Sequence, residues 1–235
     1  MKAYIERGVH FGDTHSFRDL NLVLAPFDYT PAVPKTHFID IPGGDGSIDA
    51  TEADGTIHYQ DREFQFTFTV MPGDKLTFEE RQTVVARALH GKRFEIVLDK
   101  DPEYFWRGRV WIDDYASNKR LRQIAIVARV SPYKVRRQKV EFHTFGLGNG
   151  KECVIRNDGS KTILPKIKIV GGSGTFTIQR ILPKREASVT LKNDGTYTAY
   201  PEIALYPGDN VFEILTHSLN GASGLFYMQY QEEDL

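Results

Sequence analysis

The chain has 235 residues, of which 40% are hydrophobic, 12% aromatic and 26% charged, enough apolar material for one large domain or two ordinary ones and too much for a disordered tail. Its formal net charge is −1, with 17 Lys+Arg against 20 Asp+Glu in residues 1–130 and 13 against 11 in residues 131–235, which excludes a whole-protein electrostatic pull toward nucleic acid or an anionic membrane. A single cysteine, Cys153, excludes an internal disulfide framework.

Met1 to Arg7 lacks the apolar run and small-residue cleavage site of a signal peptide, and no stretch approaches the ~20 apolar residues of a membrane span. The expectation is a soluble protein made in a cytoplasm, without membrane insertion. Phe17 to Leu24 reads as a strand with Leu20, Leu22 and Leu24 on one face. Pro26, Pro31 and Pro34 then interrupt any regular ladder. Residues 38–62 read as extended, with apolar positions flanking the glycine-rich turn Gly43-Gly44-Asp45-Gly46. They do not complete a compact local element, and such a segment satisfies its backbone by pairing with a neighbour or by packing as a long loop on its own domain.

Glu63 to Val70 has the period-2 pattern of a half-buried strand, with Phe64, Phe66, Phe68 and Val70 on one side. One helix is expected over about 78–90, entered through a Thr77/Glu80 capping box and left at Gly91. Its apolar stripe is Phe78, Val85, Ala88 and Leu89. Strands follow at 94–98, 104–112 and 121–130, with turns at Asp99-Lys100-Asp101-Pro102 and Ala116-Ser117-Asn118-Lys119. A basic stretch from Tyr133 to Val140 marks a boundary. Beyond it come short candidate strands at 140–146, 152–156, 165–170, 174–181, 187–192, 197–204, 211–216 and 225–230. Turns at Asn157-Asp158-Gly159 and Asn193-Asp194-Gly195 punctuate them, as in an antiparallel sandwich. Cys153 falls in one of these strands as a small buried side chain.

Several stretches resemble the distal tail protein family of siphophages and prophages. In the first half they are Ile41-Pro42-Gly43-Gly44-Asp45-Gly46-Ser47-Ile48-Asp49, the aromatic strand at Phe64–Val70, Leu89-His90-Gly91-Lys92, Asp99 to Phe105 and the Gly108–Val110 step. In the second half they are Asn157 to Ser160 with Leu164 to Ile169, and Tyr206-Pro207-Gly208-Asp209-Asn210. Together they run over most of residues 15–230. The resemblance implies a mainly β chain of two domains. The first, 1–132, is a sandwich-like ring-forming domain with one α-helix and an extended belt or hairpin that reaches the neighbouring subunit. The second, 133–235, is a galectin-like antiparallel β-sandwich. It further implies a non-enzymatic virion tail-tip (baseplate) protein of the host attachment apparatus, assembled as a hexamer in one ring or two stacked rings. Such a ring joins the major tail tube protein to a tail-tip hub or tail-associated protein, beside receptor-binding proteins, and leaves an axial opening for DNA. The subunit-contact candidates are Ile41, Pro42, Gly43, Ile48, Ile57 and Tyr59.

Catalytic and metal signatures are weak. Gly43 to Ser47 lacks the Gly-Lys-Ser/Thr ending and following helix of a phosphate loop. Asp45, Asp49, Glu52 and Asp54 lack calcium-loop spacing and read as a solvated segment or one facing a neighbour's cations. Asp99/Asp101 and Asp113/Asp114 read as solvated turn or strand-end carboxylates rather than a glycosidase pair. The seven histidines form no zinc motif, and Gly171-Gly172-Ser173-Gly174 sits in strand and turn rather than a nucleophile elbow. No catalytic residue, metal or cofactor is expected, and no sequence-specific nucleic-acid readout. The competing expectation is a carbohydrate-binding module that recognises host surface glycans through an aromatic residue of the second domain.

Overall fold

The computed structural model describes residues 8–145, 151–170, 175–192, 195–198, 200–217 and 225–235. It divides into two compact units, Met1–Lys134 and Val135–Asp234, and β-strands dominate both.

The first unit contains β1 (Val9–Phe11), β2 (Thr14–His15), β3 (Leu22–Leu24), β4 (Phe38–Asp40), β5 (Ser47–Asp49), β6 (Arg62–Val70), α1 (Phe78–Leu89), β7 (Arg93–Leu98), β8 (Asp101–Asn118) and β9 (Gln123–Val130). Seven strands form one antiparallel sheet in the order β2-β1-β7-β8-β9-β6-β3. In a flat sheet β1 and β6, four strand spacings apart, would be separated by about 19 Å. Instead the Phe11 and Phe66 ring centroids are 6.1 Å apart. The sheet therefore curls over on itself in a sandwich-like manner, and Phe64, Phe66, Phe68 and Val70 fill the inside with Trp106 and Val110. At Gly108 in β8 there is no room for a side chain: a Cβ there would lie 2.4 Å from the Arg129 carbonyl oxygen of β9, so a larger residue would force the backbone to shift.

Helix α1 closes one side of this core through Phe78, Val85 and Leu89, the expected stripe. Its capping box is formed, with Thr77 Oγ1 accepting from the Glu80 amide and the Glu80 carboxylate accepting from the Thr77 amide at 2.8 Å, a cap worth about 1 kcal/mol. Just before it, the Asp74 carboxylate accepts from Arg81 Nε at 2.6 Å and Nη2 at 2.7 Å. The Arg81 hydrogen bonds hold the Asp74 pKa down at about 2. The folded-state value lies below the unfolded one, so this pair stabilises fully above the ordinary carboxylate range and is lost as pH falls toward 2. Its side chain is only 3% exposed, so Asp74→Asn is expected to cost about 2 kcal/mol at neutral pH. It should also flatten the acid limb of a urea-stability profile between about pH 4 and 2.

Several boundaries differ from the sequence expectation. Phe17–Leu20 is a turn, and the strand is only Leu22–Leu24, because Asn21 takes a positive φ of 56° that no continuous strand tolerates. The turn between β7 and β8 is tighter than expected, with Leu98 paired to Asp101. The β8–β9 turn falls at Lys119–Arg122 instead of Ala116–Lys119, so β9 starts at Gln123.

In the second unit, β10 (Lys134–Arg136) pairs with β19 (Glu233–Asp234) at the junction. The rest is β11 (Val140–Phe145), β12 (Lys151–Asn157), β13 (Lys166–Val170), β14 (Thr175–Leu182), β15 (Val189–Lys192), β16 (Gly195–Tyr197), β17 (Gly208–His217) and β18 (Leu225–Tyr230). Two four-stranded antiparallel sheets, β11-β18-β13-β16 and β12-β17-β14-β15, bury Ile167, Ile169, Phe226 and Met228 from one and Cys153, Phe176, Phe212 and Ile214 from the other. Residues 197–204 are not a strand: β16 ends at Tyr197 and Pro201–Ile203 is a 3₁₀ turn. Proline at its start presets the helical φ and supplies no ladder donor. Asn193, Asp194 and the Gly171–Gly174 stretch lie outside the described residues.

Candidate functional site

Between β3 and β6 the chain leaves the core as an arm. Strands β4 and β5 form a hairpin with Ile39 paired to Ile48, turned through Gly43 and Gly46 at φ of 75° and 79°. Toward its root the two legs stay tied by Lys35 N–H to His58 O and Gln60 N–H to Val33 O, both 2.8 Å, and by a Pro34–Tyr59 bridge. Every residue from Val33 to Asp49 is exposed, including Val33, Phe38, Ile39, Ile41 and Ile48; Ile57 on the returning leg is exposed too.

Six large apolar side chains on one projecting arm are more than scattered surface hydrophobics, and together they mark an interaction surface. The arm also carries one lysine against five carboxylates between Val33 and Gln60. At its returning leg His58 Nε2 lies 2.6 Å from Asp54 Oδ2, and this hydrogen bond lowers the Asp54 pKa to about 2.

The sequence candidates separate by position. Ile48 stands on the hairpin, while Ile41, Pro42 and Gly43 lead into its tip. Ile57 lies on the returning leg, and Tyr59 is half-buried at the root with its ring edge-on to Tyr133 at 6.0 Å. Val33, Phe38 and Ile39 belong to the same surface but were not among the candidates. For Phe38 and Ile39 the signal that could have found them is their position opposite Asp49 and Ile48, which follows once the glycine turn is read as a hairpin tip; Val33 lies further down the arm, across from Gln60. The segment is not a loop packed on its own domain. Part of its backbone is satisfied within the arm, and its side chains are what remain uncovered.

One cluster was invisible in the sequence because its members are far apart. Asp99 Oδ2 lies 3.1 Å from His15 Nε2, and Oδ1 lies 3.7 Å from His10 Nε2. Asp99 is thus largely buried, not a solvated turn carboxylate. These three side chains could each offer a metal one ligand atom. However, His15 Nδ1 accepts from the amides of Phe17 and Arg18, both at 3.1 Å. That leaves the ring proton on Nε2, donated to Asp99 and unavailable as a ligand lone pair. A Cβ on Gly8 would come within 2.5 Å of the His15 ring, so the backbone closes over the group. It acts as a hydrogen-bonded clamp between β2 and the β7–β8 turn.

A concavity of about 650 Å³ lies between α1 and the far end of β8. Gln82 donates to Asp114 there at 2.5 Å and Lys119 pairs with Glu79, so Asp114 is tied to the helix. Among the described residues no helix is long and apolar enough to cross a membrane.

A mainly β chain of two units with a projecting arm is the class of molecule that this architecture defines. It shares its fold with SPP1 Dit (gp 19.1), whose crystal structure superposes with a TM-score of 0.67 at 13% sequence identity, covering 95% of this chain and 98% of that one. That protein is described as a paradigm of the hub adsorption apparatus in phages infecting Gram-positive hosts. No family model matches the sequence, and no curated protein matches it.

Proposed function

We propose that this chain is a distal tail protein, a non-enzymatic structural component of a phage tail that assembles head to tail into a hexameric ring. The observation that carries the reading is the arm, whose exposed apolar residues have no cover within their own unit. A closed ring requires two different patches on each subunit, and a projecting arm supplies the first. Ile41, Pro42, Gly43, Ile48 and Ile57 contact the neighbour, and Tyr59 steadies the root. The acidic balance of the arm calls for cations on the surface that receives it. The likeness in fold to a hub protein along nearly the whole chain supports the same conclusion.

In this reading unit 1–132 builds the ring and the sandwich of 133–235 is a galectin-like domain on its periphery. The ring joins the tail tube protein to the tip hub or tail-associated protein, next to receptor-binding proteins, and leaves an axial opening through which DNA passes. Removing residues 42–58 tests the arm. The shortened chain is expected to keep its thermal transition and to run as a monomer in light scattering. Rings that persist after the deletion would overturn the arm's role.

A further inference from the structure

The outer face of the first unit's large sheet carries a row of charge that the fold does not use. The register sets Arg93 of β7 directly opposite Arg109 of β8, and Arg109 directly opposite Arg129 of β9. All three side chains are exposed. Like charges placed directly opposite across strands destabilise a sheet, so three arginines abreast are a cost to this chain on its own. Arg129 is compensated by Asp61 at 2.9 Å and stands opposite Glu63 of β6. In the neighbouring row Arg107 is compensated by Glu95 at 3.3 Å. Among the described residues Arg93 and Arg109 pair with no carboxylate, and Arg109 gives one hydrogen bond to the Gly91 carbonyl. Trp111, half-buried, is the next outward residue of β8 after Arg109.

We propose that Arg93 and Arg109 receive the acidic face of the hairpin of a second copy of this chain, an assignment that rests on the ring reading and supplies its second patch. Alternation along β4 and β5 puts Phe38 and Asp40 on one face of the hairpin with Ser47 and Asp49, and Ile39 with Ile48 on the other. Asp40 and Asp49 are exposed diagonal neighbours, about 7–8 Å apart. Two carboxylates at that spacing match two guanidiniums on adjacent strands, whose long side chains splay to meet them, and each such pair is a charge-assisted hydrogen bond. Phe38 lies directly across from Asp49, so the same face brings an aromatic ring to Trp111 and to the guanidinium planes. The isoleucine face remains for the apolar part of the contact. Asp61, at the base of the returning leg, holds Arg129 of its own chain. The row therefore begins where one arm leaves the sheet. An incoming arm seated on it would lie beside the root of the next, as a closed ring of identical contacts needs. A nucleic acid strand fits less well, because its phosphates recur along a line and the row offers only two uncompensated cations.

The test is assembly of the full chain, read by sedimentation velocity and negative stain, with charges reversed on each side of the contact. Arg93→Asp with Arg109→Asp should raise the concentration needed for assembly at least about tenfold, and so should Asp40→Arg with Asp49→Arg. All four changes in one chain should bring it back to within about threefold of the unaltered protein, because the pairs re-form with their signs exchanged. Arg185→Asp, at an exposed position of the second unit, should change nothing. All the altered side chains are exposed, so an unmoved thermal transition separates lost contact from lost fold. Assembly indifferent to either pair of reversals, or a combined chain that assembles no better than its parents, would overturn the proposal. So would a labelled DNA duplex that binds the unaltered chain and not the row variant while rings of that variant persist, since the row would then serve nucleic acid. Rings that ignore the row sink this assignment and leave the ring reading standing, whereas an unaltered chain that forms no ring at any concentration sinks both.

Discussion

Changing Ile39 and Ile48 together to aspartate should leave the chain monomeric at concentrations where the unaltered protein assembles, with its thermal transition unmoved. The two side chains are directly opposite on the hairpin and are 47% and 58% exposed. Substituting them removes little from the fold, within about 0.5 kcal/mol for such surface positions. At a subunit contact the same change forfeits roughly 1.5–3 kcal/mol of burial per isoleucine and places a charge against an apolar surface. Affinity at each contact should therefore fall by more than about a hundredfold. Sedimentation velocity beside a melting curve reads both quantities. A loss of stability matching the loss of assembly would mean that the arm belongs to its own domain's core.

The largest expected effect on stability is at Arg180, whose side chain is fully buried. Its Nη2 lies 2.9 Å from Glu186 Oε1, and its Nε donates to the Lys184 carbonyl at 3.1 Å. Its Nη1 donates to the Ala204 carbonyl, and the guanidinium lies 4.2 Å from the Tyr206 ring centroid. Arg180→Ala removes the group that ties β14 to the segment after the 3₁₀ turn and leaves two carbonyls unpaired. A cost of about 3–5 kcal/mol is expected in urea denaturation of the second unit. Glu186→Ala should cost less, since the arginine keeps both carbonyls and the ring, and Glu186 is partly solvated. The reverse order would show that the ion pair, rather than the carbonyl bonds and packing, holds this corner.

Arg180 also illustrates what was and was not legible in the sequence. Elements specified by neighbouring residues could be read directly. The alternation from Phe64 to Val70 gave β6 within a residue, and Thr77 with Glu80 marked the start of α1. Where a single backbone angle or a distant partner decides, the pattern misled. Leu20, Leu22 and Leu24 alternate like a strand, but Asn21 at positive φ turns the chain. Residues 197–204 look strand-forming, but the segment after Tyr197 is shaped by Pro201 and by the buried guanidinium of Arg180. Asp99 sits in turn-like sequence, but β1 and β2 bring two histidines onto it from 84 and 89 residues away. For the arm, the glycine turn and the apolar flanks were visible. That the two legs pair with each other, leaving side chains rather than backbone to seek a partner, was not.

The reading of this chain as a ring-forming adaptor is tested most directly by the mass and shape of the purified protein. Six copies of a 26.8 kDa chain give a particle of about 161 kDa, seen as an annulus with an open centre in negative stain. A monomer at every concentration tried, with no annulus even when tail tube protein is added, would contradict it.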